Sequence, residues 1–245
     1  MIANEKMNSI KGSSLRAIKK TARIAGILYL LVMIHGMFSL LYVSPQLIVP
    51  GDALTTAKNI RASEFLFRIG SVSELLHMVW YFILTLALYL LLKPVSKNLA
   101  YLFVLFALVA VPIAVLSTLN NFAALSLLSG ANYLKVFTTD QLQAQALFFL
   151  NLNEQGYFIS QIFMGFWMLI LGYLVSKSSY LPRILGVLFI IGGFGLLIES
   201  FQYFLFPGYQ VLTYPGVVVS IIAEISFCFW LLAKGTKGEN DEYER

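Results

Sequence analysis

Charged residues are scarce in this sequence, and long apolar runs take their place. Only 12% of the 245 residues are charged, whereas 59% are hydrophobic and the mean hydropathy is +0.80. A soluble domain carries about 25% charged residues, so the composition indicates a membrane protein. The runs are continuously apolar and do not alternate as the strands of a membrane barrel do, so they predict helices.

Cysteine and histidine are also rare, with one and two residues, which limits the kinds of catalytic and metal site that the sequence can form. The single cysteine, Cys228, forms no intrachain disulfide and supports no cysteine-based metal motif. No glycine-rich phosphate loop is present, and no serine can be placed with a histidine and an aspartate for nucleophilic catalysis. Gly192, Gly193 and Gly195 lie inside an apolar run, where small residues permit close helix packing. An enzyme is therefore the less favoured interpretation.

Six apolar segments are each long enough to cross a bilayer, which takes about 20 residues in a helix. They cover residues 24–44, 71–92, 99–119, 156–176, 184–206 and 216–233. The sequence thus predicts an all-α polytopic membrane protein with one six-helix transmembrane domain at residues 21–235. Residues 1–20 are predicted to form an N-terminal segment, and residues 236–245 a tail.

Basic residues are concentrated at one end of the predicted spans. Thirteen of the 17 lie before the first span, in the short connections after the second and fourth spans, or after the sixth. The other side has only Lys58, Arg61, Arg68 and Lys135. The positive-inside rule then places both termini in the cytoplasm. We therefore attribute the net charge of +5 to the orientation of the protein in the membrane and to attraction between its basic residues and the headgroups of the lipid bilayer. Nucleic acid is not an expected partner.

Two longer connections on the other side are each predicted to contain a short surface helix. Asp52 is a candidate N-cap for the first helix, which is expected to continue through Arg68. Glu64 and Arg68 are four residues apart, a spacing at which opposite charges meet on a helix. The second helix is predicted over residues 140–153, ahead of the fourth span.

All three tryptophans follow a glutamate or a glutamine by six residues, in segments predicted to run inward. The pairs are Glu74 and Trp80, Gln161 and Trp167, and Glu224 and Trp230. This spacing predicts an internal repeat of three helical hairpins, each with a polar side chain in the membrane. Tryptophan favours membrane interfaces in any case, so a chance recurrence of the spacing stays open.

Several short strings carry a likeness to a known family. They are Ile48-Val-Pro-Gly-Asp52, Asn59-Ile60, Glu64, Phe67-Arg68, Gly70, Leu92-Lys-Pro-Val95, Tyr180-Leu-Pro-Arg183, Leu185-Gly186, and Glu224 with Trp230. In these strings the chain resembles a bacterial membrane family known as domain of unknown function 4386. The resemblance implies a six-helix protein of the bacterial inner membrane, and it brings no activity with it.

Polar side chains from several predicted spans fall toward the outer half of the membrane, where they predict a pocket that opens outward. The candidate pocket residues are His35, Arg68, Glu74, His77, Asn121, Gln161, Glu199 and Glu224. Polar groups are costly in hydrocarbon, and intramembrane carboxylates often serve proton or cation pathways. The first hypothesis is a protein that binds or transports a small molecule or cation. Oligomer formation stays open, since six helices are few for a transporter.

Two further hypotheses use the same polar residues. Glu74 and His77 have the i,i+3 spacing of ligands in carboxylate metal bundles. No cofactor is expected, but a divalent metal could be held there with help from His35, Glu199 or Glu224, as in an intramembrane metal-dependent enzyme. The third hypothesis is a structural or regulatory membrane protein in which these side chains only join helices.

Overall fold

The computed structural model describes the backbone of residues 2–235 and the side chains of residues 18–235 other than Gln210. Eight α-helices are found in this part of the chain. They are α1 (Ile2–Met37), α2 (Ser44–Leu47), α3 (Ala53–Ala62), α4 (Glu64–Leu92), α5 (Lys97–Leu128), α6 (Thr139–Lys177), α7 (Arg183–Leu205) and α8 (Tyr214–Ala233). A π-helical segment, Phe38–Val43, joins α1 to α2, and two 3₁₀ turns precede α6 and α8.

The prediction of an all-helical protein with six membrane-crossing segments is confirmed. Within the described residues, six helical segments are long and apolar enough to span a bilayer, and no strand is found. They are Ile18–Leu47, Glu64–Leu92, Lys97–Leu128, Thr139–Lys177, Arg183–Leu205 and Tyr214–Ala233. The three-hairpin repeat stays a prediction. The predicted tail at residues 236–245 lies outside the described residues.

Several predicted boundaries differ from the structure. Helix α1 begins at Ile2, and the predicted domain boundary at residue 20 stays a prediction. The helix expected from Asp52 through Arg68 ends at Ala62, because Ser63 has a non-helical backbone and α4 begins at the next residue. The segment 140–153 is helical as predicted, but the predicted end at residue 153 is wrong, since this segment forms the start of the continuous α6.

Side-chain caps explain where α3 and α6 begin. Asp52 accepts a hydrogen bond from the Thr55 backbone N–H at 2.9 Å and one from the Thr55 hydroxyl at 2.6 Å, so the predicted N-cap is confirmed. These hydrogen bonds hold the pKa of Asp52 below its ordinary value. Before α6, Thr138 and Gln141 exchange hydrogen bonds between side chain and backbone, which is the arrangement of a capping box.

The described chain divides into two compact units, and both draw residues from the first four spanning helices. One unit, here called the connecting-loop unit, contains residues 31–81 and 109–161. Its apolar core includes Val43 and Leu47, Ile60 of α3, Phe67 of α4 and Leu150 of α6. The amphipathic α3 is thus held by its buried face, because Thr56, Ala57 and Ile60 lie on one side of it.

The other unit, here called the long-helix unit, contains residues 2–30, 82–108 and 162–235 of the described chain. Trp167 is buried at its core, where its ring stacks on Phe103 and its indole N–H donates to the Thr85 hydroxyl at 3.0 Å. The Tyr180 hydroxyl donates to the Leu91 carbonyl at 2.5 Å, which ties the α6–α7 connection to the end of α4. Burial raises the pKa of Tyr180 to about 12, so this donor keeps its proton at neutral pH.

Glycine permits the closest helix contacts of the long-helix unit, as the sequence predicts for residues 192–195. A Cβ atom added to Gly195 would lie 2.6 Å from the backbone of Gly216 in α8, and one added to Gly192 would lie 2.7 Å from the Ser220 Cα. On another face of α7, a Cβ at Gly193 would lie 3.0 Å from the Gly165 carbonyl oxygen of α6. Close packing of this kind replaces the hydrophobic driving force, which is absent between helices in lipid.

This packing yields a first testable prediction. In Gly195→Ala, the new methyl group meets backbone atoms that cannot rotate away, so we expect a loss of about 1–3 kcal/mol in unfolding free energy, as for overpacked cores. Thermal unfolding in detergent measures the change. Gly208→Ala is the control, because nothing lies within 4 Å of its added Cβ. Equal melting temperatures for the two variants would contradict the proposed contact.

Candidate functional site

The carboxylate of Glu74 is hydrogen-bonded by side chains from three other parts of the connecting-loop unit. The Ser39 hydroxyl donates to Oε1 at 3.1 Å, and the Asn121 amide donates to Oε2 at 3.0 Å. Side-chain hydrogen bonds also link Glu74 with Thr118 of α5 and Asn153 of α6. These five residues are called the Glu74 cluster below. Glu74 itself is half-buried on α4.

The π-helical segment helps to present Ser39 to this carboxylate. Its wider turn is visible at its end, where the Ser44 N–H donates to the Ser39 carbonyl five residues earlier. Pro45 follows and has no N–H, so the chain cannot form the normal α-helical bond at this point. Single π-helical turns inside α-helices occur frequently at functional sites, because they displace side chains from the regular helical positions.

Helix α5 supplies two members of the cluster from one face. Thr118 and Asn121 are three residues apart, so they lie on the same side of the helix, and both are buried. The Thr118 hydroxyl donates to the Ala114 carbonyl at 3.1 Å. A hydroxyl has one proton that can rotate, so Thr118 donates to either the Ala114 carbonyl or the Glu74 carboxylate at any one time.

The basic groups nearest in sequence to Glu74 are committed to other partners. Arg68 forms an ion pair with Glu64, with 2.7 Å between Nη2 and Oε1, so the predicted i,i+4 pair is confirmed. Both side chains are about half-exposed, and such pairs contribute little stability. Within the described residues no other ion pair is found, so no basic side chain pairs with Glu74.

The side chain of His77 joins α4 to α1, whereas that of His35 bonds within α1, and neither is bonded to the Glu74 cluster. His77 Nδ1 donates to the Val32 carbonyl at 2.9 Å, and His35 Nδ1 donates to the Leu31 carbonyl at 2.9 Å. The Ser73 hydroxyl donates to the His35 carbonyl at 3.1 Å. Gly36 of α1 makes room for the His77 ring, because a Cβ atom at Gly36 would lie 2.7 Å from His77 Nδ1. Nδ1 donation leaves Nε2 of each ring as the acceptor.

The remaining predicted pocket residues are distributed between the two units. Gln161 is buried at the edge of the connecting-loop unit, next to Ser160, whose hydroxyl donates to the Ala110 carbonyl at 2.9 Å. Glu199 and Glu224 belong to the long-helix unit, where the Tyr29 side chain forms a hydrogen bond with Glu224. The structure therefore brings Glu74 and Asn121 together, and it adds Ser39, Thr118 and Asn153, which sequence reasoning missed.

The metal hypothesis finds no complete ligand set in the part of the chain that is described. No group of three or more histidine, cysteine, aspartate or glutamate side chains gathers among these residues. Glu74 and His77 share a helix, but the carboxylate is bonded to neutral side chains and His77 Nδ1 to a backbone carbonyl. A divalent metal at these two residues stays a prediction.

Comparison with known proteins agrees with the resemblance seen in the sequence. A family model described as "Domain of unknown function (DUF4386)" matches residues 24–235. The chain is also similar to a protein of Archaeoglobus fulgidus described as "Uncharacterized protein", with 34% identity over 152 residues, which is 62% of this chain and 74% of that protein. No solved structure matches the chain. Since the family model covers nearly all of the six spanning helices, the chain belongs to the DUF4386 family of membrane proteins.

Proposed function

We propose that this protein is a multi-pass protein of the bacterial cell membrane that binds a monovalent cation at the Glu74 cluster, as a binder or transporter. The observation that carries the proposal is the surroundings of the Glu74 carboxylate. Its hydrogen-bond partners are all neutral, and they come from the π-helical segment, α5 and α6. A carboxylate in a spanning helix without a basic partner is a candidate cation or proton site.

The chemistry of the cluster suits a hard cation. Ser39 and Thr118 offer hydroxyl oxygens, and a half-turn of the Asn121 or Asn153 amide presents a carbonyl oxygen in place of the NH₂ group. Carboxylate, carbonyl and hydroxyl oxygens are the ligands that hard cations prefer. The cluster holds one carboxylate, so a monovalent cation makes the bound site neutral, whereas a divalent cation leaves a positive charge in a medium of low dielectric constant.

Nothing specific favours the other two hypotheses over this one. A metal-dependent enzyme needs ligands beyond Glu74 and His77, and the described residues do not gather them. A purely structural role explains hydrogen bonds between helices, but it does not require a carboxylate where glutamine could accept and donate similar bonds. The proposal therefore predicts that replacing the charge alone abolishes the binding.

The second testable prediction is a cation-dependent stability that requires Glu74. The melting temperature of the protein in detergent is measured in lithium, sodium or potassium chloride and compared with that in choline chloride at equal ionic strength. At about ten times its Kd, the bound cation stabilises the wild-type protein by about 1.4 kcal/mol. Glu74→Gln loses this stabilisation, because the neutral amide keeps the shape of the side chain but cannot balance the charge.

Glu224→Gln is the matched control, since it removes a carboxylate from a spanning helix of the other unit by the same substitution. We expect this variant to respond to the cation as the wild type does. An equal cation response in the wild type and in Glu74→Gln would contradict binding at the Glu74 cluster.

The third testable prediction concerns competition with protons. Protonation removes the charge that holds the cation, so the cation-dependent stabilisation becomes smaller as the pH is lowered. The same melting experiment, repeated over a series of pH values, measures this dependence. A stabilisation that stays constant while the pH falls through the titration of the carboxylate would show that the cation binds elsewhere.

The fourth testable prediction concerns orientation, with both termini in the cytoplasm. Ser129 and Ser179 are exposed in connections at opposite ends of the spanning helices, so each is replaced by cysteine. The native Cys228 is fully buried and adds no background. A membrane-impermeant maleimide applied to intact cells should label Ser129→Cys and should label Ser179→Cys only after permeabilisation. The reverse pattern would overturn the orientation.

A further inference from the structure

Four basic side chains gather where α1 and α8 meet in the long-helix unit. Lys19, Lys20 and Arg23 are exposed on α1, and Lys234 follows the last residue of α8. Lys19 lies beside the end of α8, because a Cβ added to Gly235 would lie 3.1 Å from its Cγ. These four residues are called the basic cluster below.

Close packing between the two helices holds the basic cluster together. The Cys228 thiol of α8 hydrogen-bonds to the Gly26 carbonyl of α1 at 3.5 Å. A Cβ added to Gly26 would lie 3.0 Å from the Leu232 backbone nitrogen, so no larger residue fits there without movement. The positions of the four charges are therefore set by a tight helix contact.

No carboxylate balances these four charges in the described part of the chain. The acidic residues of the long-helix unit that are described are Glu199 and Glu224, and both lie within spanning helices. None of the four takes part in the ion pair that is found among the described residues, which joins Arg68 and Glu64 of the other unit. Within the described part of the chain, these four neighbouring positive charges have no acidic partner and repel one another, so they favour an anionic ligand.

Lysine–aromatic pairs place the basic cluster at the level of lipid headgroups. In four spanning helices, a lysine at one end lies over an aromatic ring four residues away. The pairs, with the distance from Nζ to the ring centroid, are Lys93 and Tyr89 (5.9 Å), Lys97 and Tyr101 (5.8 Å), Lys177 and Tyr173 (5.8 Å), and Lys234 and Trp230 (4.9 Å). Aromatic rings and snorkelling lysines are typical of the boundary between hydrocarbon and headgroups.

Apolar side chains border the charges on the hydrocarbon side. A cavity of about 310 Å³ is lined by Lys19, Lys20, Arg23, Ile24 and Ile27. The two isoleucines are 45% and 54% exposed. A soluble anion gains nothing from this apolar border, whereas a phospholipid uses the charges for its phosphate and the isoleucines for its acyl chain.

We propose that the basic cluster, together with Ile24 and Ile27, binds an anionic phospholipid of the surrounding bilayer. The proposal is independent of cation binding at Glu74, which uses residues of the other unit. The fraction of protein molecules with a lipid bound at this site would then rise with the anionic lipid content of the membrane.

Trp230 provides the test, because its ring centroid lies 4.9 Å from the Nζ atom of Lys234, a member of the basic cluster. The protein is reconstituted into phosphatidylcholine vesicles with increasing fractions of brominated phosphatidylglycerol, and brominated phosphatidylcholine in the same amounts is the reference. Bromine quenches nearby tryptophan, and the Trp230 contribution is the difference between each protein and its Trp230→Phe counterpart. We expect stronger quenching by the anionic lipid than by the zwitterionic lipid.

The variant Lys19→Gln/Lys20→Gln/Arg23→Gln should lose this preference by about fivefold or more, the effect of at least one basic residue at a membrane surface. The matched control, Lys93→Gln/Lys97→Gln/Lys177→Gln, removes the same charge from the same end of the helices and should keep the preference. Lys19→Arg/Lys20→Arg, which keeps the charge, should also keep it. Equal losses in the two triple variants, or a loss in neither, would overturn the proposal.

Discussion

The connecting-loop unit depends on one constraint, which is that a carboxylate inside a spanning helix must find hydrogen-bond partners within the protein. Hydrocarbon offers no such partners. A polar group left without a hydrogen bond there costs several kcal/mol, which is comparable to the whole unfolding free energy of a small domain. Glu74 meets this constraint through Ser39, Asn121, Thr118 and Asn153. Each partner belongs to a helical segment that must be rotated about its own axis so that the partner faces Glu74. One carboxylate therefore restrains the packing of all these segments. The π-helical turn is the local feature that presents Ser39 to this carboxylate.

The long-helix unit is organised by a different principle. Its helices approach closely where both partners lack side chains, as at Gly195 and Gly216, and where a thiol reaches the Gly26 carbonyl. Close contact gains dispersion energy over many atom pairs, which the lipid-facing alternative matches less well. Its lysines that lie over aromatic rings are found at the helix ends, where both side chains can reach water or headgroups. Close packing and interface anchoring therefore help to hold this unit.

The sequence predicts those features that depend on local information. Hydropathy is a sum over neighbouring residues, so the six spans were found, and the Asp52 cap and the Glu64–Arg68 pair depend on spacings of three and four residues. The continuation of α6 past residue 153 was missed because the polar residues of its first turns look like a separate surface helix, although no residue there stops the helix. Ser39 and Asn153 were missed for another reason. Their role depends on how separate helices rotate toward Glu74, and no periodicity in the chain encodes that rotation.

A carboxylate is energetically unfavourable compared with a neutral side chain if the Glu74 cluster serves only to join helices. Buried charges seldom stabilise a fold relative to neutral residues of similar shape, because the desolvation of the charge offsets the attraction that it gains. Glutamine would accept from one of the two donors through its carbonyl oxygen, and its NH₂ group would donate to the Asn121 carbonyl oxygen after a half-turn of that amide, without that cost. The presence of glutamate therefore favours a role in which the charge itself is used.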